Sequence, residues 1–121
     1  MHSVDLIRKG AQLLVVITND GWWKDSPGSW QHFGYSRLRA IETRRCIVRS
    51  ANTGISGFIN ERGDVLKKSA KNSFEVLSSK VSLNDEITIY SRYGDFIGWI
   101  CSILSGMILI NFLISKWKVR Y

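Results

Sequence analysis

The 121 residues are 45% apolar and 22% charged, with five Trp and five Phe, a composition that excludes intrinsic disorder. One Pro, ten Gly and two Cys exclude collagen-like, Pro-rich, disulfide-scaffold and multi-Cys zinc readings. The net charge of +7 would suit nucleic acid, but five Arg are spread over residues 37–49 and three basic residues follow a C-terminal apolar run. Solvated faces and ion pairs fit that distribution better than a binding patch, so no nucleic-acid partner is expected.

Residues 3–9 read as the end of a helix, with Val4, Leu6 and Ile7 as its apolar positions and Gly10 as its stop. Residues 11–18 (AQLLVVIT) form a nearly unbroken apolar run with β-branched side chains, the pattern of a strand buried on both faces. Asn19-Asp20-Gly21 ends that strand with turn chemistry. Ser26 followed by Pro27 predicts a helix start, a hydroxyl cap ahead of Pro at the first helical position. Trp30, Phe33, Leu38 and Ile41 then recur at helical spacing to about Arg45. Short strands are expected over 47–51 and 55–59, separated by Asn52-Thr53-Gly54. Asn60-Glu61-Arg62-Gly63 reads as a hairpin turn with Gly63 at positive φ, and Val65-Leu66 begins the return strand. Residues 74–81 predict another strand and 87–90 a short extended piece. The sum is an α/β chain (α+β by layers).

From 96 to 115 the chain reads FIGWICSILSGMILINFLIS, without one charge. At about 1.5 Å per residue such a helix is roughly 30 Å long, the thickness of a bilayer's hydrocarbon core. Lys116, Lys118 and Arg120 follow, with Trp117 and Tyr121 among them, as at the end of a spanning helix. Gly98, Ser102 and Gly106 make one stripe of it small, which suits close packing in lipid. The expected organisation is a soluble part over 1–95, a transmembrane helix over 96–115 and a basic tail over 116–121. The positive-inside rule puts the tail in the cytoplasm and residues 1–95 across the membrane. No export signal precedes residues 1–95, and the first helix and strand want partners. The chain is therefore expected to continue upstream.

Few residues offer chemistry. Cys46 follows Arg44 and Arg45, which favours a thiolate, yet it opens a strand and reads better as a small semi-buried residue. Cys101 lies inside the apolar helix. His2, His32, Cys46 and Cys101 are scattered, so no metal and no cofactor are expected. Asp5, Asp20, Asp25 and Glu42 form no carboxylate pair, and His32 reads as a packing histidine. Glycine-rich phosphate loops and nucleophile elbows are absent from the sequence. The residues alone offer a scaffold without a complete active site.

Three stretches carry a resemblance: ITNDGWW (17–23), SPGSWQHFGYSRLRAIETRR (26–45) and VRSANTGISGFINERGDVL (48–66). With TIYSRYGDF (88–96) ahead of the final apolar helix, they resemble the C-terminal part of the apolipoprotein N-acyltransferases. That family of membrane enzymes has a periplasmic domain of the nitrilase (carbon–nitrogen hydrolase) superfamily. Gln31-His32, Arg39-Ala40-Ile41-Glu42 and Asn52-Thr53-Gly54-Ile55 are its most specific marks. The resemblance implies the C-terminal half of a nitrilase-like αββα sandwich followed by one transmembrane helix. It implies the bacterial inner (cytoplasmic) membrane, with the soluble part periplasmic and the C-terminus cytoplasmic.

The implied reaction moves an acyl chain from a phospholipid to the N-terminal cysteine amine of a lipoprotein, through an enzyme Cys thioester. It needs a thiolate, a Glu as general base and a Lys at the oxyanion. In the family all three lie upstream of the position that Met1 takes here, and the resemblance puts Met1 just past the nucleophilic Cys. No catalytic residue is therefore carried onto this sequence, and the chain alone is expected to be inactive. Its implied partners are the phospholipid donor, the lipoprotein acceptor and an N-terminal half.

Asn19, Asp20, Trp22 and Trp23 follow the strand next to the nucleophile's own, so they are expected near the mouth of the site. The tandem Trp would rest on lipid, line an acyl pocket, or simply pack the loop. Glu42 among Arg39, Arg44 and Arg45 is expected in a structural ion pair. Asn52 and Gly54 are expected to shape the connection between strands, Gly54 at positive φ. The rival reading is a small membrane-anchored interaction protein built on a decayed nitrilase half.

Overall fold

The computed structural model describes residues 2–24 and 26–119. Met1, expected just past the family's nucleophile, lies outside the described residues. So do Asp25, the tail residues Arg120 and Tyr121, and the side chains of His2 and 117–119. Helix α1 covers His2–Arg8, buries Val4 and Ile7, and leaves Leu6 half exposed. Gly10 stops it at φ +94, with its N–H on the Ile7 carbonyl at 2.9 Å.

Strand β1 covers Leu14–Thr18, helix α2 Gly28–Thr43, and strands β2 Ile47–Ala51, β3 Gly57–Ile59 and β4 Val65–Lys68. The sheet order is β1-β2-β3-β4. β1 and β2 run parallel, with Leu14 opposite Ile47 and Thr18 opposite Ala51, joined through α2. β2, β3 and β4 are antiparallel, with a register irregularity between Phe58 and Ile59. Ile7, Leu14, Phe33, Ala40, Ile47, Ile55 and Ile59 form one buried cluster between sheet and helices. The fold is mixed α/β, as the sequence pattern indicates.

Two elements bury different residues from those expected. In β1, Leu14 is buried but Val15 is 61% and Ile17 84% exposed. The strand starts at Leu14 and alternates, Leu14 and Val16 against the core cluster and Val15 and Ile17 on the opposite face, which nothing covers among the described residues; at the sheet edge it has β2 alone beside it. In α2, Trp30, Leu38 and Ile41 stay exposed, while Ser29, Phe33, Ser36, Ala40 and Thr43 face inward. Those five recur at spacings of four and three, so the helical period is right but small residues occupy it. Small side chains bring the helix close to the sheet. Trp30 and Ile41 instead flank the β3–β4 hairpin: Lys68 Nζ lies 4.8 Å from the Trp30 ring centre, and a Cβ on Gly63 would approach Ile41 to 2.8 Å.

The start of α2 keeps the expected chemistry. Pro27 has φ −66 just ahead of it, and the Ser26 hydroxyl accepts from the Gly28 N–H at 3.3 Å. Arg44, at φ 52, closes the other end in a left-handed conformation. The hairpin turn has Gly63 at φ +84 and Asn60 Oδ1 accepting from the N–H groups of Arg62 and Asp64.

No strand forms over 74–81; Phe74 and Val76 point into solvent. Polar pins hold the residues just beyond it, at 84–86. Fully buried Arg45 donates to the Glu86 carbonyl at 2.9 Å and to the Ala11 carbonyl at 2.8 Å, and Asn84 Nδ2 donates to the Arg44 carbonyl at 3.0 Å. Burial pulls the Arg45 guanidinium below its ordinary range, against the opposing charges of Asp85 and Glu86.

At 87–90 the sequence predicts a short extended piece, but the chain turns into helix α3, Ile89–Tyr93. The Thr88 hydroxyl decides this, accepting from the Ser91 N–H at 3.0 Å and donating to the Glu42 carbonyl at 2.6 Å. Arg8 of α1 reaches across to the carbonyls of Ser91 at 2.7 Å and Arg92 at 2.9 Å, tying α1 to α3. Gly94 then leads into helix α4, Phe96–Val119. Its stretch Phe96–Lys116 has a mean hydropathy of 2.2, and none of it is buried against the rest of the chain; by length and composition it can cross a membrane.

Candidate functional site

The parallel strands β1 and β2 end side by side, and the connections leaving them meet. Ligands of α/β sheets gather at such carboxyl ends. Asp20 lies two residues past β1, and its N–H donates to the Thr53 carbonyl at 3.2 Å. Asn52, just past β2, donates its N–H to the Thr18 carbonyl at 2.9 Å. Asn19 is exposed, and its Oδ1 accepts from the Thr53 hydroxyl at 2.6 Å and from the Gly21 N–H at 3.0 Å. Gly54, at φ +107, lies against Asp20, and a Cβ there would overlap the carboxylate.

The Asp20 side chain is fully buried. A dry carboxylate is tolerated only when paired and hydrogen-bonded. Arg49 of β2, also buried, supplies the charge, with Nη2 to Asp20 Oδ2 at 2.8 Å. His32 of α2 lies with Nδ1 2.7 Å from Asp20 Oδ1, and the Thr18 hydroxyl reaches the same oxygen at 3.3 Å. A carboxylate only accepts, so Nδ1 carries a proton; the 3.1 Å contact between Nδ1 and Arg49 Nη2 then joins two donors and is not a hydrogen bond. Arg49 also donates to the Ser36 hydroxyl at 3.1 Å and the Ile55 carbonyl at 3.2 Å. Four segments therefore meet on one carboxylate.

A 3₁₀ turn, Gly21–Trp23, follows directly. Trp22 is 89% exposed and Trp23 45%. The Trp23 N–H donates to the Asp20 carbonyl at 3.0 Å, the Ser26 hydroxyl donates to the Trp23 carbonyl at 2.5 Å, and the Trp23 ring covers Gly28. Beneath the cluster, a cavity of about 250 Å³ opens among Leu6, Leu14, Val16, His32, Tyr35 and Arg49.

Of the residues singled out from sequence, Asn19, Asp20, Trp22, Trp23, Asn52 and Gly54 are brought together here. Glu42 is elsewhere, paired with Arg39 across one helical turn at 2.6 Å. Sequence reasoning gave His32 only a packing role and passed over Arg49. The signal for Arg49 was its parity: in β2 the inward positions are Ile47 and Arg49, and a cation in a buried register needs a carboxylate.

Cys46 is buried, with Sγ 3.3 Å from the Ser82 hydroxyl and 3.5 Å from Glu61 Oε2. The Glu61 carboxyl is held below its ordinary range by its own backbone N–H, then by Ser82 and Cys46. Ser82 also donates to Glu61 at 3.1 Å, so the group pins 82 to the hairpin turn. Cys101 is exposed on α4. Among the described residues, no group of three His, Cys, Asp or Glu side chains is placed to hold a metal.

The sheet, its layered helix and this polar centre belong to a class that sequence comparison identifies. The Carbon-nitrogen hydrolase model matches residues 2–89, and the chain belongs to that family. Within it, the chain is similar to apolipoprotein N-acyltransferases. It is 36% identical to that of Chlorobaculum tepidum over 110 residues, 91% of this chain and 21% of that protein. It is 40% identical to that of Geobacter metallireducens over 95 residues, 78% of this chain and 18% of that one. It is 34% identical to that of Wigglesworthia glossinidia brevipalpis over 120 residues, 93% of this chain and 24% of that one. The chain thus spans about a fifth of the length of the curated relatives it matches.

Proposed function

We propose that the chain serves as the C-terminal part of an apolipoprotein N-acyltransferase. Similarity to proteins of that name over 91% of the chain is the observation that carries the reading. The reaction is acyl transfer from a membrane phospholipid to the N-terminal cysteine amine of a lipoprotein. The thiolate, the general base and the oxyanion-binding Lys belong to the part of the enzyme ahead of Met1. Within this chain, Asn19, Asp20, Trp22 and Trp23 form one rim of the site, and the exposed Trp22 ring meets lipid acyl chains there. Glu42 orders α2, and Asn52 and Gly54 shape the connection against which Asp20 rests. Residues 1–95 act on the periplasmic side of the bacterial inner membrane, α4 spans it, and the basic tail is cytoplasmic.

The chain alone transfers nothing. Cys46, the one cysteine outside the apolar helix, is buried and engaged with Ser82 and Glu61. Two experiments test the reading. A chimera in which this chain replaces the matching segment of the Chlorobaculum tepidum relative should N-acylate a lipoprotein acceptor. A well-folded but inactive chimera counts against the proposal. Incubating the chain by itself with a labelled phospholipid should trap no thioester, and label on Cys46 would sink the claim that the nucleophile lies elsewhere.

A further inference from the structure

We infer that Asp20 is the positioning residue of the tandem-Trp turn, that His32 and Arg49 are its clamps, and that the two Trp divide the work: Trp23 anchors and Trp22 is presented. The turn has little support of its own. It is a single 3₁₀ turn with no buried residue, followed by Lys24 at a positive φ of 45. Its order comes from the residue directly ahead of it. The Asp20 N–H is held by the Thr53 carbonyl, its carbonyl receives the Trp23 N–H, and its carboxylate is gripped from β2 by Arg49 and from α2 by His32. The backbone of the turn thus grows out of a residue fixed at both its main chain and its side chain.

The surroundings are shaped for that approach. Gly54 leaves room for the Asp20 carboxylate where any side chain would displace it, and Gly28 leaves room for the flat Trp23 ring. With Trp23 seated and its carbonyl taken by Ser26, Trp22 is the ring left in the open. His32 is the revealing member. Arg49 suffices to balance the charge of Asp20, so the second grip at Oδ1 fixes the direction of the carboxylate and, through it, the turn.

The role of Trp22 towards lipid rests on the reading in the preceding section; the positioning of the turn does not. Both are tested with the full chain, first in detergent micelles by hydrogen exchange. His32→Ala removes one clamp, and His32→Asn restores an N–H at the place of Nδ1 without an imidazole. In His32→Ala, exchange over 18–24 should quicken about tenfold, the effect of losing one charge-assisted bond, with the interiors of α2 and β2 unchanged. His32→Asn should bring it back to about wild-type rates. Unchanged exchange over 18–24 in His32→Ala, equal quickening across the whole domain in that variant, or failure of His32→Asn to rescue would each overturn the inference.

The second arm uses vesicles of brominated phospholipid. The Trp22 share of fluorescence, read by difference from Trp22→Phe, should be quenched in the wild type. In His32→Ala it should be quenched about half as much, and His32→Asn should restore it. No Trp22 quenching in the wild type removes the lipid contact while the exchange result still decides the positioning role.

Discussion

Replacing Arg49 by Met gives the sharpest test of how the two connections are held together. The substitution keeps length and apolar stem but leaves the Asp20 carboxylate, itself fully buried, with only His32 and the Thr18 hydroxyl. Breaking a buried pair from one side costs about 3–5 kcal/mol, because the remaining charge is uncompensated. The Ser36 hydroxyl and the Ile55 carbonyl also lose a donor, which places the expected cost towards the upper end. Asp20→Asn should fall in the same range from the other side. In the double variant neither charge is left buried, and its cost should be about 2–3 kcal/mol below the sum of the singles. Urea unfolding in mild detergent, followed by tryptophan fluorescence, reads this directly: with a slope of about 1–3 kcal/mol per molar, the Arg49→Met midpoint should fall by about 2 M. A midpoint shift below about 0.5 M, or additive singles, would refute the view of this pair as a mutually dependent buried unit.

Other consequences are more local. Thr88→Ala should cost about 0.5–2 kcal/mol and melt α3 first, seen as lost exchange protection over 89–93 with β2 and β3 intact. Gly63→Ala combines a φ of +84 with a Cβ 2.8 Å from Ile41, so it should destabilise by more than about 1 kcal/mol in a thermal melt; a neutral change would mean the hairpin adjusts freely. The Glu61 carboxyl is depressed in the fold, so its contribution is fully present above the unfolded value of about 4.3 and is lost as pH falls through the lower folded value. Protection around Ser82, taken relative to the intrinsic exchange rate at each pH, should therefore fall only in acid, and Glu61→Gln should abolish that acid limb.

Much of the frame was readable from residues with local effects. Gly10, Ser26-Pro27 and Gly63 mark their boundaries because each acts on the backbone beside it. The readings of β1 and α2 depended on the elements lying across from them. An apolar run such as LLVVI reads alike whether one face or two are covered, and Trp30, Leu38 and Ile41 repeat as well as Ser29, Ser36 and Ala40 do. Segment 74–81 carries strand-forming Phe and Val, but nothing in the described chain pairs with it, and side-chain bonds of Arg45, Asn84 and Ser82 tie down residues 82–86 beyond it. In the candidate site, Asn19, Asp20 and Gly54 stood out as turn-forming residues. The roles of His32 and Arg49 did not, since their contacts with Asp20 cross 12 and 29 positions of sequence.

The clasp of Arg8 on the carbonyls of Ser91 and Arg92 bears on the order in which the chain folds. Its partners lie 83 and 84 positions apart. On a flexible chain, closing such a loop costs about 2 kcal/mol more than closing one of ten residues, so the contact forms late, after the β2–β4 meander and α2. Helix α1, already seated through Ile7 in the cluster with Leu14, Phe33 and Ile47, thus gains its second fastening only once residues 91 and 92 are in place. The last joint to close sits directly ahead of α4. The apolar helix is thus the next segment along the chain once the clasp has its partners, so α1 and α4 are joined through one short helix.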